Sequence, residues 1–427
     1  MGTSTAKLKL YKPATTGEAV SVQAAINDNM DKLESLLPFT ICTSGARPAS
    51  PFQGQTIYET DTGLVYFWTG SAWRKWVLDI ANMALTNGLT IGGNLLANGE
   101  FDYVNPLGNK NAIQNAEFAI GQRGTTGAGS TAATAAGRNG PDRWAPYRAA
   151  FATGMTWSRS AIGPPDGFKW YGRCQRDSGN AATGVMNLSQ TLESEDSYAF
   201  RGKKATLSFW ARAGANYSAA SSILTASIRS GTVTDENAAA AFTGEVVEAT
   251  ANVTLTTSWQ KFVVSTSAAL GLTFNQLKVQ FNYTPVGTAG AADNFDITGV
   301  QLEIGALDTA FEHVPYAVDF AKCLRHYYRH TGAVNDRIGS GVVASATSAV
   351  VWVPFPVLMR VAPAYASSGA GHLSVTTGTA FAGSANSSTT NDAYGAQIGI
   401  TITGGTGGQG CLGFFNTAGY IEFSSEL

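Results

Sequence analysis

Between Ala205 and Ile304 one pattern recurs: short alternating runs rich in β-branched and aromatic residues, cut apart by loops of Gly, Asn and Thr. Ala205-Thr-Leu-Ser-Phe-Trp-Ala211, Ile223-Leu-Thr-Ala-Ser-Ile-Arg229, Trp259-Gln-Lys-Phe-Val-Val264, Leu277-Lys-Val-Gln-Phe-Asn-Tyr283 and Phe295 to Ile304 all fit it. A period of two puts Leu207, Phe209 and Ala211 on one face, and likewise Leu277, Val279, Phe281 and Tyr283. Strands of this kind bury their apolar face against a second layer. A two-sheet sandwich is therefore expected rather than an α/β arrangement.

Composition supports a surface-presenting shell over a metabolic enzyme. Charged residues make up 14% of the chain and glycine fills 48 positions, whereas soluble proteins carry about a quarter charged residues. At 427 residues the chain exceeds one core, and about two to four domains are expected. A net charge of -2 without a Lys/Arg stripe argues against nucleic acid as a partner. Cys42, Cys174, Cys323 and Cys411 are scattered, with no CxxC or Cys/His cluster, so free and largely buried thiols are expected rather than zinc or a disulfide framework. Met1 to Pro13 lack the charged start and apolar core of a secretory leader. No run of apolar residues is long enough for a transmembrane segment.

The flanks read differently. Over residues 14–37, Val22, Ala25, Ile26, Met30, Leu33, Leu36 and Leu37 recur at helical spacing until Pro38. Such a helix is marginal alone, so Ile26, Met30, Leu33 and Leu37 are candidates for assembly with other copies. Ile41 to Leu78 predicts a three-stranded meander with turns at Asp61-Thr-Gly63 and Thr69-Gly-Ser71. Both of its faces are apolar, so Tyr66, Trp68 and Trp73 join the assembly candidates. A short helix is expected at Val318 to His330, and from Gly332 the signal returns to short strands.

Asn115-Ala-Glu-Phe-Ala-Ile-Gly-Gln-Arg-Gly-Thr125, with Asp142-Arg-Trp144, resembles the opening of a domain found in bacteriophage tail fibre and related virion proteins, with Ala116 where a glycine is common. Gly299 to Tyr316 is similar to the closing signature of that domain, and Cys323 to Arg329 continues the similarity. Pro48 to Trp73 is similar to a short module of phage structural proteins. The resemblance implies a jelly-roll sandwich like a carbohydrate-binding module, carried in a homotrimeric fibre or tip. The organisation expected is then mainly β. Residues 1–40 form an arm and helix for attachment or trimerisation, 41–80 the meander, 81–110 a linker and 111–316 the jelly roll. A connecting helix over 317–331 leads to a C-terminal β knob at 332–427.

Sugar binding needs an aromatic face flanked by polar groups. Core and interface packing is the ordinary use of aromatics such as Trp144, but Trp157, Trp170 and Tyr171 flank the turn Gly163-Pro-Pro-Asp-Gly167 and are candidates to contact glycan. Trp352, Tyr365 and Tyr394 are the candidates in the C-terminal part. No cofactor is expected. The one alternative weighed is calcium, held by Glu117, Asp293, Asp296 and Glu303 if the first and last strands of the implied fold pair. Glu193, Glu195 and Asp196 lie close in sequence without a groove signature, and His326 and His330, expected four apart on one helix face, lack a third ligand. The expectation is a non-enzymatic structural subunit of a phage tail fibre or tip, assembled in the host cytoplasm. It would attach to other virion proteins through its N-terminal region and bind host surface glycans. The alternatives are a capsid-decorating or connector protein without a receptor, and a virion-associated glycan hydrolase.

Overall fold

The alternating runs become strands, and their polar and apolar residues separate onto opposite faces. The computed structural model describes residues 40–76, 110–128, 140–149 and 154–427, with the backbone of Thr3–Ser4 and Tyr11–Lys12. The chain divides into two units, residues 1–98 and 99–427. The helix expected over 14–37, with Ile26, Met30, Leu33 and Leu37, lies outside the described residues, as does nearly all of the 81–110 linker.

In the first unit β1 (Thr3–Ser4) pairs antiparallel with β2 (Tyr11–Lys12). The expected meander is β4 (Thr56–Glu59), β5 (Leu64–Trp68) and β6 (Trp73–Lys75), and β3 (Thr40–Cys42) adds a fourth strand, parallel to β4. Gly63 and Gly70 sit at the two turns with φ of 69° and 97°, a conformation that glycine adopts without steric cost. Register places Ile57, Tyr66 and Lys75 on one face and Ile41, Tyr58 and Val65 on the other. Ile57 is buried beside Glu59, whose carboxylate pairs with Arg47. Trp68 and Trp73 pack on each other at 5.4 Å, half-buried like Tyr66. Ile41 and Trp76 remain 71% and 58% exposed, so this thin sheet does not cover its own apolar surface.

The second unit is a jelly-roll-like sandwich joined to a smaller β part. One sheet runs β14 (Val246–Thr254), β13 (Ile223–Gly231), β16 (Gln276–Tyr283), β11 (Met186–Thr191), β8 (Ala145–Arg148). The other runs β15 (Gln260–Ser265), β12 (Ala205–Ala213), β17 (Asn294–Ile304), β10 (Tyr171–Arg176), β9 (Met155–Ser160), β7 (Thr126–Ala128). Leu207, Phe209, Ile297 and Leu302 from one sheet meet Leu224, Ile228, Val279 and Phe281 from the other in a single core. Arg176 and Asp293 are fully buried in the same layer as an ion pair of 2.8 Å.

The opening motif is a hydrogen-bonded knot. Asn115 donates to the carbonyls of Ile120 and Asp142 at 2.9 and 2.8 Å and accepts from the Ile120 amide at 3.0 Å. The positive-φ backbone in the two motif segments falls on Asn115, Phe118, Gly124 and Arg143. Ala116 is not among those positions, so the departure from glycine there costs the turn nothing.

The helix expected over 317–331 is shorter, Tyr316–Leu324. Tyr327, Tyr328 and Thr331 favour extended backbone, and β18 (Tyr327–Gly332) pairs with β27 (Gly419–Ser424), itself flanked by β21 (Ala364–Ser367). His326 therefore lies between helix and strand and His330 on the strand, not four apart on a helix. The larger sheet runs β23 (Ala380–Ala382), β22 (Leu373–Thr376), β26 (Gly410–Phe415), β19 (Arg337–Ser345), β20 (Ser348–Pro354), β25 (Gly395–Thr401), β24 (Ala385–Asn391). Val343, Val351, Ile398, Phe415 and Phe423 form the core of this part. Cys174, Cys323 and Cys411 are buried free thiols and Cys42 is half-buried.

Charged side chains tie this part to the sandwich. Glu426 accepts from Arg143 at 2.8 Å and Arg123 at 3.1 Å, and Glu193 takes both Nε and Nη2 of Arg325 at 2.7 and 2.8 Å. His326 Nε2 lies 3.0 Å from Glu193 Oε1, off the line of a hydrogen bond, and the imidazole is fully buried. Burial, and then the Arg143 charge, hold His326 at about 4. Burial pushes Asp142 up to about 6 against the Arg123 charge and the Gln122 hydrogen bonds.

The two groups act with opposite sign. A depressed histidine costs stability as pH falls from about 6.5 towards about 4, because the unfolded chain binds the proton first. A raised aspartic acid costs stability as pH rises from about 3.8 through about 6. Relative to wild type, His326→Gln is expected to gain stability progressively on acidification below about 6.5, and Asp142→Asn to lose ground below about 6. Thermal melts of the three proteins across this range check it, and parallel pH curves would refute the assignment.

Candidate functional site

The five-stranded sheet turns its apolar residues inward, so its outer face is made of the residues between them. Register sets Asn187 against Asn282 and Ser189 against Gln280, then Asn282 against Thr225 and Gln280 against Ser227. Tyr147 and Ala145 flank Asn187 and Ser189 on β8. The outcome is a continuous patch of amides and hydroxyls across four strands.

Part of this patch lies beneath a strap, residues 232–245, that crosses the sheet. Asn187 donates to Ala239 O at 3.2 Å, Lys278 donates to Ala240 O at 3.1 Å, and Ala239 packs with Ala145 and Tyr147. Phe242 presses onto Gly231, where an added Cβ would stand 2.6 Å from the Phe242 side chain. Only a glycine admits so close an approach. Glu245 anchors the strap's end, pairing with the fully buried Lys278 at 2.8 Å and with Arg229. Burial pulls the Lys278 ammonium down from its usual range, with Glu245 opposing that shift.

Under the strap three buried side-chain oxygens have no hydrogen-bond partner among the described residues: Oδ1 of Asn187, Oγ of Ser189 and Oε1 of Gln280. Asn187, Ser189 and Gln280 are 3%, 0% and 4% exposed. A buried polar atom left unpaired costs about 1–3 kcal/mol, and three on adjacent register positions form a site rather than a scatter. The two amide oxygens accept and the Ser189 hydroxyl can accept or donate, so a complementary ligand brings mainly donors. The same stripe emerges into solvent at half-buried Asn282 and Thr225 and exposed Asn252, the last two hydrogen-bonded at 2.7 Å.

The sequence candidates are distributed otherwise. Trp157 is fully buried against Phe118 at 5.7 Å, with Gly172 beneath it, so it presents no face to a ligand. Its neighbours in sequence alternate outward, and that alternation, not the loop at Gly163–Gly167, decides where it points. Tyr171 is 2% exposed and packs edge-on against Trp259 at 5.4 Å. Trp170 is half-buried, under the Arg159 guanidinium at 4.6 Å. In the C-terminal part Tyr365 packs on Phe423 at 5.6 Å and donates to Asn386 at 2.6 Å. Trp352 and Tyr394 are 40% and 71% exposed, and the Trp352 ring overlies Gly395, adjacent to Tyr394. Both rings are thus open to solvent, and they lie near one another along the β20–β25 end of the sheet only through Gly395.

The carboxylates weighed for calcium do not converge. Glu117 faces His313 at 2.9 Å, Asp293 pairs with Arg176, Asp296 lies between Arg173 and Arg212, and Glu303 accepts from Thr309 and Gln301. Among the described residues no three His, Cys, Asp or Glu side chains gather as a metal site.

No protein family and no curated protein matches this sequence. Several solved structures align with part of the chain. The enzymatically active domain of tailspike protein 4 of bacteriophage CBA120 aligns at 14% identity and a TM-score of 0.30, over 46% of this chain and 22% of that one. A CBM4 module aligns at 16% identity and a TM-score of 0.28, over 45% of this chain and 99% of the module. The CBM61 module TmCBM61, solved with β-1,4-galactotriose, aligns at 12% identity and a TM-score of 0.26, over 46% of this chain and 99% of that one. Among the described residues no helix is long and apolar enough to cross a membrane.

Proposed function

We propose that this chain is a non-enzymatic structural subunit of a phage virion appendage that binds host surface glycans on the outer face of its five-stranded sheet. The observation that carries the binding reading is the set of unpaired groups at Asn187, Ser189 and Gln280, which a saccharide would reach by displacing the 232–245 strap that covers them. Saccharide hydroxyls donate readily, and a row of amide and hydroxyl side chains can address several of them at once. The virion assignment draws on the tail fibre resemblance of Asn115 to Thr125, Asp142-Arg-Trp144 and Gly299 to Tyr316. In a homotrimer, three weak sites on one rigid body gain avidity by engaging together. The exposed apolar face of β3–β6 supports attachment of the first unit to other virion proteins.

Ser189→Ala combined with Gln280→Met tests the binding reading. Removing the unpaired groups relieves their desolvation cost and offsets the loss of the 2.9 Å bond from Gln280 Nε2 to Asn282 Oδ1, so the double variant should melt close to the wild-type temperature. Its affinity for oligosaccharides of the host surface should fall about tenfold or more, equivalent to about 1.4 kcal/mol. Calorimetric titration of the full chain checks this, and unchanged affinity in the well-folded variant would sink the proposal.

A further inference from the structure

A second cluster lies on the opposite sheet, facing away from the core. Register on β12, β17 and β10 sets Arg212, Asp296 and Arg173 side by side. Asp296, 1% exposed, accepts from Arg173 Nε and Nη2 at 2.7 and 3.0 Å, from Arg212 Nε at 2.9 Å and from Asn294 Nδ2 at 2.9 Å. One carboxylate therefore fixes two guanidinium groups and leaves one positive charge in excess. The arginine side chains are not sealed: 34% of Arg173 and 22% of Arg212 face solvent.

The arrangement leaves donors unspent. Among the described residues neither Nη1 nor Nη2 of Arg212 has a hydrogen-bond partner, and Nη1 of Arg173 has none. The guanidinium of Arg212 lies 4.7 Å from the Trp259 ring and 5.3 Å from Tyr171. Trp259 is half-buried and held by its Nε1 donating to Gly163 O at 2.9 Å. Lys261 on the same face is already paired with Asp308 at 2.6 Å. Two pre-oriented forks with free N–H groups beside an indole suit an oxyanion carried on an apolar-faced ring, because a fork recognises planar or tetrahedral oxyanions with little further ordering.

We propose that Arg212 and Arg173 form a binding site for an anionic saccharide, in which the sugar's carboxylate or phosphate bridges the two guanidinium groups and the ring lies against Trp259. This deepens the glycan reading by naming a ligand class, but it stands on a different sheet from the Ser189 and Gln280 floor and can be tested apart from it. Trigalacturonate supplies the carboxylate arm, galactose 6-phosphate the phosphate arm, and galactotriose the neutral control. Titrated into the full chain, at least one anionic probe should bind about tenfold or more tighter than galactotriose. That preference should weaken as salt rises from about 0.05 to about 0.5 M, since the charges are partly exposed. Arg212→Gln should remove the preference, Arg212→Lys should retain part of it, and Ser189→Ala with Gln280→Met should leave it intact. Arg173 and Asn294 still hold Asp296 in these variants, and the salt series on wild type stands even if one misfolds. A salt-insensitive or absent preference in wild type, or full preference in folded Arg212→Gln, would overturn the site. Failure of galactotriose to bind wild type, or equal galactotriose affinity in wild type and the folded Ser189→Ala, Gln280→Met variant, would count against the floor and not against this cluster.

Discussion

Arg176→Met is expected to destabilise the second unit by about 3–5 kcal/mol, the cost of stripping one partner from a fully buried ion pair. Arg176 does more than neutralise Asp293. It donates to the carbonyls of Ala182 and Gly287 at 2.9 Å, to Val286 O at 3.2 Å and to Ser218 Oγ at 3.2 Å. Its methionine replacement fills similar volume yet leaves those acceptors and a buried carboxylate without their donor. Asp293 retains Ser218 and Tyr283, which bounds the loss. Denaturant titration measures it. Combining Arg176→Met with Asp293→Leu should cost less than the two single changes added, because the orphaned charge disappears. A single variant within about 1 kcal/mol of wild type would show that the pair is dispensable, as some buried pairs are.

Trp144→Ala should cost a similar amount, about 3–5 kcal/mol from lost burial and the cavity it leaves. The indole is fully buried, 4.9 Å from Phe118 and 6.3 Å from Phe281, and Nε1 donates to Asn115 O at 3.1 Å. It thus joins the opening knot to the strand that carries Phe281. Trp144→Phe should recover much of the packing but not the hydrogen bond, giving an intermediate melting temperature. Equal stability of the alanine and phenylalanine variants would show that the hydrogen bond, not the ring, is what matters.

The sandwich was legible because its signal is local. Leu277, Val279, Phe281 and Tyr283 alternate without interruption, and all four are buried on the core side of β16. The aromatics near Gly163 were harder to place. Trp157 and Tyr171 sit on neighbouring paired strands, yet one faces the core and the other the outer side, and sequence distance to a turn does not reveal the phase. The polar floor left its trace as well, in Asn187-Leu-Ser-Gln190 and Gln280-Phe-Asn282, where polar residues alternate with core ones. That pattern ordinarily marks a solvated face. Its burial comes from the strap at 232–245, whose seat depends on Gly231 and on Lys278 far along the chain, and no periodicity encodes such a crossing. The short helix at Tyr316–Leu324 ended early because strand pairing with Gly419–Ser424 claimed the tyrosines that follow it.

Glu426 meets Arg143 across 283 positions of sequence. On a ribosome, the guanidinium would emerge long before its counter-ion existed, and the half-built sandwich would have to keep that side chain hydrated meanwhile. Closure of this kind is slow, since distant segments must find one another before either is rewarded. The order of synthesis thus makes the segment bearing Glu426 a latch, and nascent chains halted short of it should remain open to proteases at the Asp142-Arg-Trp144 corner.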